Sequence, residues 1–130
     1  MIVLDTHALL HDALEPARLS SRARAAIAEG AESRSLACSD ISLWEIALLI
    51  ARGRFDPKAD AALFLERLIE GRAIEVLPIT PKIAVLSQSD SFRHGDPADR
   101  IIAATALTHR ARLVSADRKL RGVRGLQAIW

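Results

Sequence analysis

The chain has 130 residues, of which half are hydrophobic and about a quarter charged, with a net charge of +2 and a single cysteine. That is one domain's worth of polypeptide, long enough to bury roughly two-thirds of its unfolded surface without disulfides. Lone Cys38 rules out an internal disulfide, no basic region precedes the first apolar run, and no apolar stretch approaches the roughly 20 residues of a membrane span. The expectation is one cytoplasmic domain over residues 1–130, with Cys38 a buried thiol.

The first element is the unbroken apolar run Ile2–Leu4, which suits a strand buried on both faces of a parallel sheet. It ends at Asp5-Thr6, so Asp5 would stand at the carboxyl end of a strand, where ligands bind in open α/β sheets. Ala8–Leu14 reads as a short helix broken by Glu15-Pro16, and Ser20–Glu32 as an alanine-rich helix capped by Ser20 or Ser21. Ser35–Ser39 is a short strand. Ser42–Arg52 is a helix stopped by Gly53, and Asp56-Pro57 is a turn. Ala59–Glu70 is amphipathic and ends at Gly71; Ile74–Leu77 is the third strand. Pro81–Ser89 is a helix with proline in its first turn, Ser89–Gly95 a loop, and Asp96–Ala111 the longest helix. Leu113–Ser115 is a strand, and Leu126–Ile129 an edge strand. Strands separated by helices predict βαβ units and a mainly parallel sheet.

Of 18 basic residues only three, Lys58, Lys82 and Lys119, are lysines. Arginine suits phosphate, but GC-rich coding accounts for the bias more simply. Arg112, Arg118, Lys119, Arg121 and Arg124 cluster in the tail, as a nucleic-acid surface or a solvated face would require.

The acids carry the chemistry. Asp5, Asp40 and Asp117 follow strands, whereas Glu45 and Asp99 occupy first turns of helices. Each has a local explanation. Ser42-Leu-Trp-Glu45 is a capping-box pattern. In Asp96-Pro-Ala-Asp99, Asp96 caps, Pro97 takes the first helical position and Asp99 favours the positive dipole end. Asp117 suits a cap for Arg118–Leu120. Asp5 differs, because its strand sets it at the core edge, where an unpaired carboxylate is costly. In a parallel sheet, strand-end and first-turn acids point into one crevice, so Asp5, Glu45, Asp99 and Asp117 can meet. Four close carboxylates would take up protons unless a hard divalent cation such as magnesium sat between them. That cluster suits phosphodiester hydrolysis, and no Cys/His cluster argues for zinc.

The segments Met1-Ile-Val-Leu-Asp5-Thr-His-Ala-Leu-Leu10, Ser39-Asp-Ile-Ser-Leu-Trp-Glu45-Ile, Asp96-Pro-Ala-Asp99-Arg-Ile-Ile-Ala-Ala-Thr-Ala and Leu113-Val-Ser-Ala-Asp117 together resemble the PIN-domain ribonucleases, above all the VapC-type toxins of toxin–antitoxin pairs. The resemblance spans the chain. It implies a three-layer α/β/α fold and an endoribonuclease dependent on Mg2+ or Mn2+ that hydrolyses RNA through an ion-activated water. A homodimer and inhibition by a cognate antitoxin are implied as well. Carried over, Asp5 and Asp99 would be the principal metal ligands, with Glu45 and Asp117 completing the quartet. Thr6 and Ser115 would hydrogen-bond within the site, and Asp96 would orient the helix bearing Asp99, with an outer-shell role open.

Other residues have weaker signals. His7 and His11 lie one helical turn apart just past Asp5 and suit a structural role better than phosphate contact. His94 precedes Asp96 near the expected site mouth, and His109 suits a dipole partner at a helix end. Arg100 would pair with a carboxylate or a substrate phosphate, the internal pair being favoured, and Arg118 is a second candidate for substrate. Trp44 reads as core or dimer interface, with base stacking as the alternative. The surplus of Leu and Ile in Ser42–Arg54 and Ala59–Glu70 fits either a groove for a partner helix or a two-sided core contact.

Other classes fare worse. A haloacid-dehalogenase-like phosphatase needs a second aspartate two residues after Asp5, where His7 stands. A response-regulator-like receiver needs an acidic pair by the first strand and a lysine after a late one. A non-catalytic module on this fold predicts a lost acid, and the quartet is complete. A PIN-type nuclease of RNA processing, outside any toxin–antitoxin pair, stays open as an alternative.

Overall fold

The computed structural model describes residues 1–92 and 95–130; Arg93 and His94, the latter weighed above as a site-mouth residue, lie outside the described residues. In chain order the elements are β1 (Ile2–Leu4), α1 (Thr6–Leu14), a single 3-10 turn (Pro16–Arg18), α2 (Ser21–Glu32), β2 (Leu36–Ser39), α3 (Asp40–Ala51) and α4 (Ala61–Gly71). They continue with β3 (Glu75–Leu77), α5 (Pro81–Leu86), α6 (Pro97–Thr108), β4 (Arg112–Val114), α7 (Arg118–Arg121) and β5 (Ala128–Ile129). The strands form one five-stranded sheet in the order β3-β2-β1-β4-β5. Every pairing is parallel, and β1 is central, with Val3 opposite Ala37 on one side and Leu113 on the other.

The period-2 alternation of β1 splits the core in two. Ile2 and Leu4 face one layer, where they pack with Leu9, Ile27, Leu36 and Ile46 from α1, α2, β2 and α3. Val3 faces the other, against Ile83, Ile102, Leu113 and Leu120 from α5, α6, β4 and α7. The result is the expected three-layer α/β/α sandwich. Alanines 98, 103, 104 and 106 of α6 are buried, which lets that helix approach the sheet closely. Cys38 is wholly buried on β2, and burial pushes its thiol up to about 12, so it is inert at neutral pH. Among the described residues no helix is long and apolar enough to cross a membrane.

Several helix ends differ from the sequence expectation, and caps explain them. Helix α1 starts at Thr6 rather than Ala8, because the Asp5 carboxylate accepts the Ala8 N–H at 2.8 Å. Helix α3 starts at Asp40 because Ser39, not Ser42, is its cap, accepting from the Ile41 N–H at 3.3 Å. Helix α4 starts at Ala61, capped by Asp60, and α5 stops at Leu86. The exits of α2, α4 and α6 are left-handed residues, Arg34, Ala73 and Arg110, with φ of 52°, 51° and 52°. In each, the following N–H reaches back to the last turn, as in Ser35 N–H to the Gly30 carbonyl at 2.8 Å. None is glycine; α2 and α4 still end within a residue of the sequence expectation, whereas α6 stops at Thr108 rather than Ala111.

Candidate active site

With β1 central in a parallel sheet, the carboxyl ends of β1, β2 and β4 lie side by side. Asp5 leaves the first, Ser39 and α3 the second, and Ser115 the third. Asp5 is only 7% exposed. Its carboxylate accepts the Ala8 N–H and a hydrogen bond from the Ser115 hydroxyl. Burial nonetheless pushes its carboxyl above the ordinary range, with those bonds and the nearby His7 and His11 opposing the rise.

Thr6, the next residue, is buried and turns toward α3. Its hydroxyl donates to Glu45 Oε1 and lies 3.1 Å from the buried Ser42 hydroxyl. Glu45 therefore does not serve the capping box that its spacing from Ser42 suggests. Burial also raises its carboxyl; the Thr6 bond and His7 oppose this, while repulsion from Asp96 and Asp5 adds to it. The same Ser115 hydroxyl that serves Asp5 accepts the Asp117 N–H at 3.1 Å, which ties the Asp117 turn to the Asp5 pocket. Asp117 caps α7 by accepting the Lys119 N–H at 2.9 Å.

Asp96 caps α6 as its spacing predicts, accepting the N–H groups of Ala98 at 2.9 Å and Asp99 at 3.4 Å. It also lines one cavity with Glu45. Asp99 is partly buried on the first turn of α6, the helix packed against α3, β2 and β4. The structure thus brings Asp5, Thr6, Glu45, Asp96 and Ser115 together and joins the Asp117 turn through Ser115. Asp99 is related to them by the helix that carries it.

Among the described residues no three His, Cys, Asp or Glu side chains stand at a spacing that would hold a metal ion. The donor chemistry nevertheless fits a hard divalent cation. The site offers carboxylate oxygens backed by hydroxyls, and no Lys or Arg pairs with Asp5 or Glu45 among the described residues. Burial holds both acids above their ordinary range, and the hydrogen bonds and histidines beside them oppose that rise without reversing it.

The sequence reading missed Ser42, whose hydroxyl joins the Thr6–Glu45 link; no local pattern pairs positions 36 residues apart. Of the alternatives for Trp44, its 57% exposure removes the core and leaves an interface or base stacking. His7 is exposed, and its ring stands 6.3 Å from His11, which in turn stands 6.5 Å from Trp130. Arg100 is partly buried on α6 and Arg118 is exposed beside Asp117. The basic tail divides. Arg112 pairs with Glu29 at 2.6 Å at the amino end of β4, away from the carboxylates, and with Arg22 and Arg121 it surrounds a shallow depression there.

The sequence profile of the PIN domain matches residues 2–126. The chain is 38% identical over 124 residues to ribonuclease VapC22 of Mycobacterium tuberculosis, which covers 95% of this chain and 92% of that protein. Among solved structures it is similar to VapBC2 from Rickettsia felis bound to a DNA fragment from its promoter, with a TM-score of 0.73, 18% identity, and coverage of 98% of this chain and 97% of that one. It is also similar to FitAcB from Neisseria gonorrhoeae, with a TM-score of 0.64, 23% identity, and coverage of 98% and 96%. A toxin–antitoxin complex from Klebsiella pneumoniae gives a TM-score of 0.63 at 20% identity, covering 97% and 95%. At these identities the structural likeness speaks for the fold.

Proposed function

The chain belongs to the PIN-domain family, among its VapC-like ribonucleases, and from that premise we propose that it is a divalent-metal-dependent endoribonuclease acting as the toxin of a toxin–antitoxin pair. In this reading residues 1–130 work as one cytoplasmic domain that dimerises and is held silent by a cognate antitoxin. The antitoxin partner is supported by the toxin–antitoxin complex from Klebsiella pneumoniae that shares this fold; RNA as substrate is supported by the ribonuclease relative.

Asp5, Glu45, Asp99 and Asp117 would hold Mg2+ or Mn2+. When bound, such an ion lowers the pKa of water and stabilises charge on a phosphoryl oxygen. The remaining work belongs to this chain's own groups. Ser115 and the Ala8 N–H fix the Asp5 carboxylate from two sides. Thr6 engages Oε1 of Glu45 and so leaves Oε2 as the oxygen free of that bond. Asp96 sets the first turn of α6 and with it the position of Asp99. Ser115 does the same for the Asp117 turn.

The observation that carries this reading is the buried Asp5 carboxylate. Burial pushes it toward protonation beside a second raised acid, against the Ser115 and Ala8 hydrogen bonds and the nearby His7 and His11. The test is cleavage of a single-stranded RNA by the purified chain in magnesium, in chelator, and as Asp5→Asn. Cleavage is expected only for the wild type with metal. Cleavage that persists in chelator, or in the variant, would reject the mechanism. Co-production with the protein of a short adjacent reading frame should abolish the activity if the toxin role is right.

A further inference from the structure

Beside the carboxylates lies a groove of about 410 Å3 between α3 and the start of α6. Glu45 and Asp96 line it at the amino end of α3 beside Trp44, and Leu48, Arg52 and Arg54 line it toward the carboxyl end of that helix. The arrangement follows from helical spacing. Trp44, Leu48 and Arg52 are four residues apart, so they form one row along α3, about 12 Å long at 1.5 Å per residue. Glu45 heads the neighbouring row.

Three features of this groove have no role in the fold or in holding a metal. The Trp44 indole is 57% exposed beside the site, although burying it in the chain's own core would have been favourable. Arg52 and Arg54 make no ion pair among the described residues, although the chain carries 16 acids. The groove also changes sign along its length, from two carboxylates at one end to two guanidinium groups at the other. We propose that this groove is the subsite for single-stranded RNA flanking the cleaved bond, with Trp44 stacking on a base and Arg52 and Arg54 holding phosphates.

The chemistry fits that occupant in each part. A π-face beside a cationic track is the pattern by which single strands are held without a base code. Planar guanidinium groups bind phosphate oxygens in pairs. The acidic end would repel a phosphate unless a divalent cation were held there, so Arg52 and Arg54 at the other end would be what anchors a strand. An apolar protein helix would match Leu48 but would bury two unpaired guanidinium groups. This inference rests on the nuclease reading above.

Two measurements separate the inferences. The first is affinity of a fluorescein-labelled single-stranded RNA for Asp5→Asn protein, read by anisotropy, with and without Trp44→Ala, Trp44→Phe or the Arg52→Ala/Arg54→Ala pair added. The second is cleavage kinetics of the same groove variants in the wild-type background. Trp44→Ala should weaken binding and raise KM about tenfold with kcat within about twofold, the loss expected for one base stack. Trp44→Phe should recover most of it, and the arginine pair should weaken binding and flatten its salt dependence. Unchanged affinity in Trp44→Ala and in the arginine variant overturns the groove assignment, whatever the wild type cleaves. Unchanged affinity together with dissociation of a dimer in sedimentation assigns the face to protein instead, and also overturns it. A wild type that binds RNA through Trp44 but cuts nothing in magnesium upholds the groove and sinks the nuclease.

Discussion

Glu29 and Glu45 are the same side chain near opposite ends of one parallel sheet, and their carboxyls shift in opposite directions. At the amino end, Arg112 donates to Glu29 at 2.6 Å, and this bond with its charge holds the Glu29 carboxyl below the ordinary range. At the carboxyl end, burial lifts Glu45, and Asp96 and Asp5 push it further. One end spends its acids as exposed partners of arginine. The other keeps them half-buried among hydroxyls, near other acids. Folding alone does not reward the second arrangement. It is the kind of local cost that marks a functional site.

The sharpest way to break the contrast is Asp5→Asn. It should lower RNA cleavage by more than about 100-fold, beyond what loss of a supporting residue at a metal site does, while raising Tm at neutral pH. Asparagine keeps an oxygen for the Ala8 N–H and suits the cap, but carries no charge into the pocket. Thermal melts that show Asp5→Asn less stable than wild type at pH 7 would mean the carboxylate is satisfied without an ion. Magnesium should raise the Tm of the wild type more than that of the variant.

Gly30→Ala probes the other end. Its Cβ would meet Leu36 Cδ2 at 2.5 Å and Ile2 Cδ1 at 3.2 Å, so α2 would be forced off the sheet. Leu36 and Ile2 are both buried and cannot swing away. The expected loss is about 1–3 kcal/mol by chemical denaturation, despite alanine's better helix propensity. RNA cleavage per folded molecule should be unchanged, because this packing lies at the amino end.

The two ends should also differ in pH dependence. Asp5 and Glu45 bind protons more tightly folded than unfolded. The stability they contribute is fully present below their ordinary values of 3.8 and 4.5, and is lost as pH rises through their raised folded values. An Asp5→Asn/Glu45→Gln variant should therefore gain on the wild type between about pH 4 and pH 7 in chelator. Glu29 works the other way: its contribution is present above 4.5 and is lost as pH falls through its lowered folded value. The smallest effect is Glu29→Gln. This exposed pair should change Tm barely, and less still in high salt.

Legibility followed the range of each interaction. Asp96 was readable as the α6 cap because Asp-Pro-x-Asp is a local signal, and the structure keeps it. Asp117 as the α7 cap was readable for the same reason. The local explanation of Glu45, a capping box with Ser42, fails because its hydrogen-bond partner Thr6 is 39 residues away in the chain. The ends of α2 at Glu32 and α4 at Gly71 were legible within a residue, whereas α6 stops at Thr108, short of Ala111, because its left-handed exit is Arg110 and not the glycine that usually announces one.

By itself the amino-acid sequence determined the layers and the placement of the acids. Apolar runs such as Ile2–Leu4 suit strands buried on both faces, their alternation with helices favours a parallel sheet, and such a sheet sends every strand-end residue toward one edge. Only the tertiary structure decided which groups answer those acids. Thr6 and Ser42, Ser115 and Asp5, and the outward turn of Trp44 all depend on β1 lying between β2 and β4 and on how α3 docks beside α1. The strand order and the helix docking are set by packing summed over the whole core, and no local stretch of residues contains that sum.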